Sequence, residues 1–418
     1  MAIRGKRFDG NEFVAKAFAR GAAAAVVERR PDSETGGAGP VWKVPDTLAA
    51  LGELARFHRD RFRIDLAAIT GSSGKSTTKA MLAHLLSGER EVLATPGTQN
   101  NRIGVPLTLF RLQPAHQAAV LELGTNQSGE IGALARICRP TLGAVTNIGP
   151  AHLETFGDLE GVLREKGQLW EAMDPAAPVV LNADDPLLRR AGGNLGGRKI
   201  IWFGFGLEAD VRATEIRPEP FGSVCRVNNR WEMRLPVPGR HNVMNALAAL
   251  ACAERMGIDL EEGAARLESV GPMPGRLNRS ERDGLLILDD SYNANPASLS
   301  AALEVLKELR RSGRKVVVLG DMLELGIRSE ELHAQGGRWV MESGADALVT
   351  VGPLARKALD GAREAGLPSN AGHSFETPEE AGEFLSGFVR PGDAVLLKGS
   401  RGIQMERVLA CFTISSTR

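Results

Sequence analysis

The stretch Leu66-Ala67-Ala68-Ile69-Thr70-Gly71-Ser72-Ser73-Gly74-Lys75-Ser76-Thr77 decides the fold. Its first five residues are a short apolar run that reads as a buried strand. The pattern that follows, with Met81, Leu82, Leu85 and Leu86 on one stripe, reads as a helix. Between them lies a glycine loop. Gly71 and Gly74 carry no side chain, so backbone N–H groups can close on phosphate oxygens at a helix N-terminus. Lys75 then supplies a charge for the outer phosphates of a nucleotide, and the Ser76 hydroxyl can ligate Mg²⁺. The usual spacing places a glycine five residues before Gly74, where this chain has Ile69. The loop is therefore a shortened variant whose first glycine is Gly71. The bland alternative is a Gly/Ser turn joining strand to helix, and the strand–loop–helix setting favours phosphate.

The same rhythm continues outward from this loop. Apolar runs at Ala118–Leu123, Leu142–Ile148 and Pro178–Leu181 alternate with helical patterns, which predicts a parallel sheet covered on both faces. Ser223–Val237 alternates polar and apolar residues around Asn228-Asn229 and reads as a hairpin. An Ala-rich helix is expected over Asn242–Met256. A second α/β series follows, with strands expected at Leu285–Leu288, Lys315–Leu319, Ala347–Val351 and Ala394–Leu397. The breaker-rich Gly271-Pro272-Met273-Pro274-Gly275 marks the junction. Ahead of the loop, residues 1–62 hold a helical pattern (Phe13, Ala17, Phe18), the run Ala23–Val27 and a Gly/Pro-rich turn around Gly36 to Pro40. The expected organisation is an α/β chain of three domains: 1–62, small and partial; 63–278, a parallel-sheet nucleotide-binding domain; and 279–418, a Rossmann-like domain.

The 418 residues are too many for one core, and 43% hydrophobic with 24% charged residues is ordinary for a globular protein. Lys plus Arg (51) balances Asp plus Glu (51), so no basic field points to a nucleic-acid or anionic-membrane partner. The cysteines at 138, 225, 252 and 411 are scattered without a CxxC pair, which suits reduced thiols in a cytoplasmic protein. No signal-like segment or apolar run of about 20 residues suggests export or a membrane span.

Three further residues stand out. Glu122 closes the run Ala118–Leu121, where ligands of open α/β sheets gather, and can serve a metal or simply be solvated. His152 follows the strand end Val145–Ile148; it is a second metal ligand or an ordinary loop histidine. Lys166 falls inside the apolar stripe Leu159, Val162, Leu163, Leu169, Trp170 and Met173. A lysine there either snorkels to the helix edge or is a functional amine with a lowered pKa. As a carbamate it would carry negative charge to a metal.

Taken with Gly239-Arg240-His241-Asn242-Val243-Met244-Asn245, Asn100–Thr108, Asp289–Pro296, Gly320–Gly326 and Lys398-Gly399-Ser400-Arg401, these residues resemble the Mur ligases of peptidoglycan synthesis over nearly the whole chain. The resemblance implies an ATP-dependent carbon–nitrogen (acid–amino acid) ligase of three domains. It implies that Gly71, Ser72, Ser73, Gly74, Lys75, Ser76 and Thr77 bind Mg-ATP. Asn242 and Asn245 would face the adenine side, Arg276 the phosphates, Asp290 the ribose, and Tyr292 would pack near the nucleotide. Ser76, Glu122, His152 and a carbamylated Lys166 would hold Mg²⁺, at two sites. Its catalytic set would be Lys75, Glu122, His152, Lys166 and Arg276. The implied substrates are UDP-N-acetylmuramoyl-tripeptide and D-alanyl-D-alanine, with Asn100, Asn101, Asn126, Lys398, Ser400 and Arg401 as contacts. A cytoplasmic monomer is implied.

The chain departs from the family pattern at Ser76, where Thr is frequent, and at Thr98 and Gln127, where Asn and His are frequent. It also lacks, ahead of Gly5–Gly10, a Ser/Thr-Asp-Ser/Thr-Arg-type segment that helps hold uridine. That predicts either a start placed too late or a shortened form with weakened UDP binding. The competing readings are another ligase of the superfamily (folylpolyglutamate synthetase or the third-residue-adding enzyme) and a nucleotide-binding module that no longer ligates.

Overall fold

The computed structural model describes residues 1–5, 7–29, 39–219, 222–310 and 312–412. Among them lie three sheets. The first is a parallel pair, β1 (Ala25–Val27) and β2 (Val41–Lys43), over a small core of Ala2, Val14, Ala25 and Val27. A 3-10 turn (Gly10–Phe13) and a helix (Val14–Ala19) cover the expected helical pattern there. The turn expected around Gly36 lies outside the described residues but for Gly39 and Pro40. The helix Thr47–Arg59, capped by the Asp46 carboxylate, leads into the second sheet.

That sheet holds β3 (Asp65–Thr70), β4 (Val92–Ala94), β5 (Ala118–Glu122), β6 (Leu142–Val145), β7 (Val179–Asn182), β8 (Ile200–Gly204), β9 (Val211–Glu219), β10 (Gly222–Val227) and β11 (Trp231–Leu235). Their order is β11-β10-β9-β8-β7-β6-β3-β5-β4. From β4 to β9 every pairing is parallel. Such strands need cover on both faces and so read as unbroken apolar runs. Successive residues of β3 serve opposite faces. Ala67 and Ile69 pack with Met81, Leu82 and Leu85 and with Val243, Ala246 and Leu250 of the helix Arg240–Arg255. Leu66 and Ala68 pack with Ile131, Leu134 and Leu169 on the other side. The alanines of Arg240–Arg255 let it lie close to the helix Lys75–Ser87. Truncating the fully buried Leu82 to Ala at this junction would cost about 2–5 kcal/mol. The expected hairpin is β10–β11, turning at Asn228 and Asn229, both at positive φ. It joins the sheet through β9, a strand that no apolar run announces.

The third sheet holds β12 (Asn278–Arg282), β13 (Leu285–Asp290), β14 (Lys315–Gly320), β15 (Ala347–Val351), β16 (Gly372–Phe375) and β17 (Ala394–Lys398), ordered β12-β13-β17-β14-β15-β16. All pairings are parallel except that of β12 with β13. Two buried clusters cover its faces. The C-terminal strand ends of β3, β5 and β6 and those of β13 and β17 face one cleft, where the chemistry of an open α/β sheet belongs. No described helix is long and apolar enough to cross a membrane.

Candidate active site

The cleft is a cavity of about 440 Å³. Its floor is the loop after β3. Gly71 and Gly74 both sit at positive φ, and a Cβ at either would strike a neighbour: Thr146 Oγ1 at 2.0 Å from Gly71, Asn245 Oδ1 at 2.1 Å from Gly74. The segment after β6 braces the loop from one side. Asn147 Oδ1 accepts from Ser73 N (3.0 Å) and Asn147 Nδ2 donates to Ser73 Oγ (2.9 Å). The Ser72 hydroxyl accepts from Gly149 N at 2.8 Å. The helix that follows begins at Lys75 with no side-chain cap, so its first-turn N–H groups and the positive end of its dipole face the cavity. Lys75 Nζ donates to Gly71 O at 2.8 Å, and burial pulls its pKa below the ordinary lysine range. This is an anion seat with its cation alongside.

Across it lies Glu122. Oε1 accepts from Asn100 Nδ2 at 2.8 Å, whereas the buried Oε2 has no hydrogen-bond partner among the described residues. Lys79 Nζ stands 3.8 Å from that oxygen and donates to the carbonyls of Thr95 (3.0 Å) and Gly97 (2.6 Å). Sequence reasoning missed Lys79, although it follows Lys75 by one helical turn and so shares its face. An orphaned carboxylate oxygen in a cavity that Ser76 also lines suits a hard, oxygen-seeking cation such as Mg²⁺.

The other expected metal ligands are placed differently. His152 lines the cavity, yet its Nδ1 pairs with Glu324 Oε2 at 2.5 Å, a carboxylate from the loop after β14. Lys166 is 1% exposed, and burial, reinforced by the charge of Lys75, holds its amine well below the usual range against Glu165 and Glu130. No cluster of three His, Cys, Asp or Glu side chains that could hold a metal occurs among the described residues. Glu122 and His152 both line the cavity, whereas Lys166 is not among its lining residues.

The third sheet closes the cavity from above. Arg276 Nη2 donates to Ser76 Oγ at 2.8 Å while its guanidinium lies 4.4 Å from the Tyr292 ring centre. The Tyr292 hydroxyl donates to Thr98 Oγ1 at 2.5 Å. Asp290 accepts from Leu277 N at 3.2 Å and from the buried Lys398; burial still raises its pKa above the normal carboxyl value. Asn242 and Asn245 line the opposite wall beside Gly74, bonded to each other at 3.3 Å. Between them and the third sheet sits His241, whose pKa burial and the Lys398 charge press down to about 4.

Of the expected substrate contacts, Asn100, Asn126 and Lys398 line the cavity. Asn101 instead caps the short helix Gly104–Leu109, its Oδ1 accepting from Ile103 N and Gly104 N. The Ser400 hydroxyl accepts from Leu323 N at 2.9 Å and lies 3.2 Å from Ala294 O, beneath the loop that carries Glu324. Arg401 is exposed, pairs with Glu406 at 2.6 Å and stands 5.7 Å from the Tyr292 ring centre.

Comparison with known proteins places this geometry. Residues 69–253 match the Mur ligase middle domain, and residues 275–401 match the Mur ligase, glutamate ligase domain. The UDP-N-acetylmuramoyl-tripeptide–D-alanyl-D-alanine ligase of Escherichia coli K12 is 37% identical over 424 aligned residues, covering 100% of this chain and 91% of its own. Among solved structures, MurF of Acinetobacter baumannii superposes with a TM-score of 0.89 at 37% identity, covering 98% of this chain and 89% of the other. MurF ligase of Thermotoga maritima in complex with ADP gives 0.86 at 31% identity, covering 98% and 93%.

Proposed function

The chain belongs to the Mur ligase family, and we infer that within it the chain is the ATP-dependent ligase joining D-alanyl-D-alanine to UDP-N-acetylmuramoyl-tripeptide. The observation that carries the chemistry is the single cavity in which an uncapped helix N-terminus, Lys75, the orphaned Glu122 oxygen and Arg276 converge. The similarity of the relatives and solved structures narrows the substrates.

The terminal carboxylate of the peptide attacks the γ-phosphorus of ATP, and the bond to the β-phosphate oxygen breaks, giving an acyl phosphate and ADP. Lys75, Arg276 and the N–H groups of residues 74–77 meet the charge that spreads over the transferring group, so catalysis is largely positioning and electrostatics. The amine of D-alanyl-D-alanine then adds to the acyl carbon, and the tetrahedral intermediate expels inorganic phosphate as the nitrogen loses a proton. The Tyr292–Thr98 contact holds the third sheet over the cavity and keeps water from the acyl phosphate.

Mg²⁺ would be held by Ser76, Glu122, His152 and a Lys166 carbamate, the unpartnered Glu122 oxygen being the donor that suits it, and it would neutralise phosphate charge there. Burial of Lys166 favours the free amine, the form that CO₂ would carbamylate. Asn242 and Asn245 form the adenine side, with Asp290 and Tyr292 toward the ribose. Asn100 and Asn126 contact the UDP-linked peptide, and Asn101 shapes that loop as a cap. Lys398 is paired with Asp290 inside the cavity wall, whereas the pair of Arg401 with Glu406 is exposed, so Arg401 is the cation of this strand end that can exchange its partner for the dipeptide carboxylate, with Ser400 in a supporting part. The functional units are residues 1–62, 63–278 and 279–418, the last junction falling at the start of β12. One chain supplies every group named, which suits a monomer, and the free thiols and the ATP requirement suit the cytoplasm.

The test is phosphate release coupled to the amine supplied. Release with D-alanyl-D-alanine, abolished by Lys75→Ala, is expected. Release that depends on glutamate or diaminopimelate instead would overturn the reading.

A further inference from the structure

Glu165 is 2% exposed and belongs to none of the sites described so far. It precedes Lys166 on the helix Leu159–Glu171, and its carboxylate is saturated. Oε1 accepts from Ile131 N at 2.9 Å and lies 3.1 Å from the Thr125 hydroxyl. Oε2 accepts from Gly129 N at 2.7 Å and from Gln168 Nε2 at 3.0 Å. Gly129 and Ile131 begin the helix Glu130–Cys138, which no side chain of its own N-cap residue serves. A carboxylate from a second helix therefore does the work of a cap.

The loop it ties down, Gly124–Gly129, lines the cavity through Gly124, Thr125 and Asn126. Within that loop the Asn126 backbone is fixed at both ends. Its N–H donates to Glu130 Oε2 at 2.7 Å, and its carbonyl accepts from Thr155 Oγ1 at 3.0 Å. These clamps fix the point on the cavity wall from which the Asn126 side chain projects. Glu165 welds the loop that holds this point to the helix carrying Lys166.

We propose that Glu165 is a positioning residue that fixes Asn126 for the muramoyl-peptide substrate relative to Lys166, so that peptide recognition and the lysine move as one body. The proposal rests on the ligase reading above. A carboxylate is required because both oxygens accept backbone N–H groups. An amide at the same position would turn an NH₂ toward one of those donors, leaving it orphaned.

The experiment uses the full chain with Glu165→Gln, Asn126→Ala and the double variant. Calorimetric titration with UDP-N-acetylmuramoyl-tripeptide and, separately, with a non-hydrolysable ATP analogue reads the two halves of the cavity. Glu165→Gln is expected to weaken the peptide substrate by about tenfold or more while the analogue stays within about twofold. In the double variant the loss should match that of Asn126→Ala alone, because Glu165 acts through Asn126. Additive losses, an equal loss for the ATP analogue, or no loss at all would each overturn the assignment. Amide hydrogen exchange gives a readout that needs no substrate. Gly129 and Ile131 should exchange at least about tenfold faster in Glu165→Gln, with amides of Lys75–Ser87 unchanged. Unchanged protection at Gly129 and Ile131 would overturn the positioning role even if the ligase reading stands. A wild-type chain that does not bind the UDP-tripeptide would sink the ligase reading and the substrate half of this one, with the exchange result still standing by itself.

Discussion

Arg276 reaches from the junction before β12 to place Nη2 2.8 Å from the Ser76 hydroxyl, with its guanidinium stacked on Tyr292. Two residues 200 positions apart in the chain, one at the start of the helix after β3 and one just before β12, are thereby joined at the oxygen expected to meet the metal. The contact gives Arg276 a place in the cavity that a linker charge would not have.

The first prediction concerns that arginine. Arg276→Ala should lower kcat by about 10²–10³, the loss typical of removing one preorganised donor from a site of developing charge. Binding of an ATP analogue should weaken far less, because the loop amides and Lys75 remain. Arg276→Lys should recover little, since a point charge replaces a planar fork stacked on an aromatic ring. Steady-state kinetics beside calorimetric titration separate the two effects, and an unaltered kcat would remove Arg276 from the chemistry.

A second prediction concerns the glycine at the helix start. Gly74→Ala forces a Cβ to 2.1 Å from Asn245 Oδ1 and keeps it at φ +79, a strained conformation costing about 1–3 kcal/mol. Nucleotide affinity should collapse and the melting temperature should fall. Adding Asn245→Ala removes the collision but not the backbone strain, so only part of the stability should return. Full recovery in the double variant, measured by thermal melting, would show that φ at this position is unimportant.

How much of this was legible in the sequence follows from what a periodicity can carry. Strands buried on both faces announce themselves as apolar runs, so β3, β5, β6, β7, β13, β14, β15 and β17 were all foreseen. β12, read Asn-Arg-Ser-Glu-Arg, has no apolar residue and is held only by its antiparallel partner, so no pattern could find it. β4 and β16 are short, with three and four residues, and lie at sheet edges. The loop and Lys166 were visible because glycines and a misplaced charge are local signals. The pairing of His152 with Glu324, the burial of Ser400 beneath a loop and the reach of Glu165 across two helices are tertiary facts, and sequence spacing does not encode them.

Lys166 supplies the third prediction. Lys166→Ala should be inactive, because the proposed carbamate is lost and no negative group replaces it. Short carboxylates such as acetate or formate, small enough for the space left by the side chain, should restore part of the turnover. Restoration should saturate with carboxylate concentration. Activity that returns without any carboxylate would falsify the carbamate role while leaving the ligase reading intact.

The last prediction is a pH dependence of stability. His241 lies in the first turn of Arg240–Arg255, where burial and the Lys398 charge press its pKa to about 4, against an ordinary value of 6.5. The helix dipole, positive at that end, opposes protonation further. Between these two values the unfolded chain binds a proton that the folded chain refuses. The folded state is therefore favoured above pH 6.5 and loses stability as pH falls toward 4, by up to roughly 3 kcal/mol if the group were fully shielded and less for a half-buried ring. Denaturant titrations at pH 7 and pH 4.5 should show this loss in the wild type and a smaller one in His241→Asn, which keeps a polar side chain but cannot take up the proton. Equal losses in both would mean that the carboxylates of the chain, rather than His241, set its acid sensitivity.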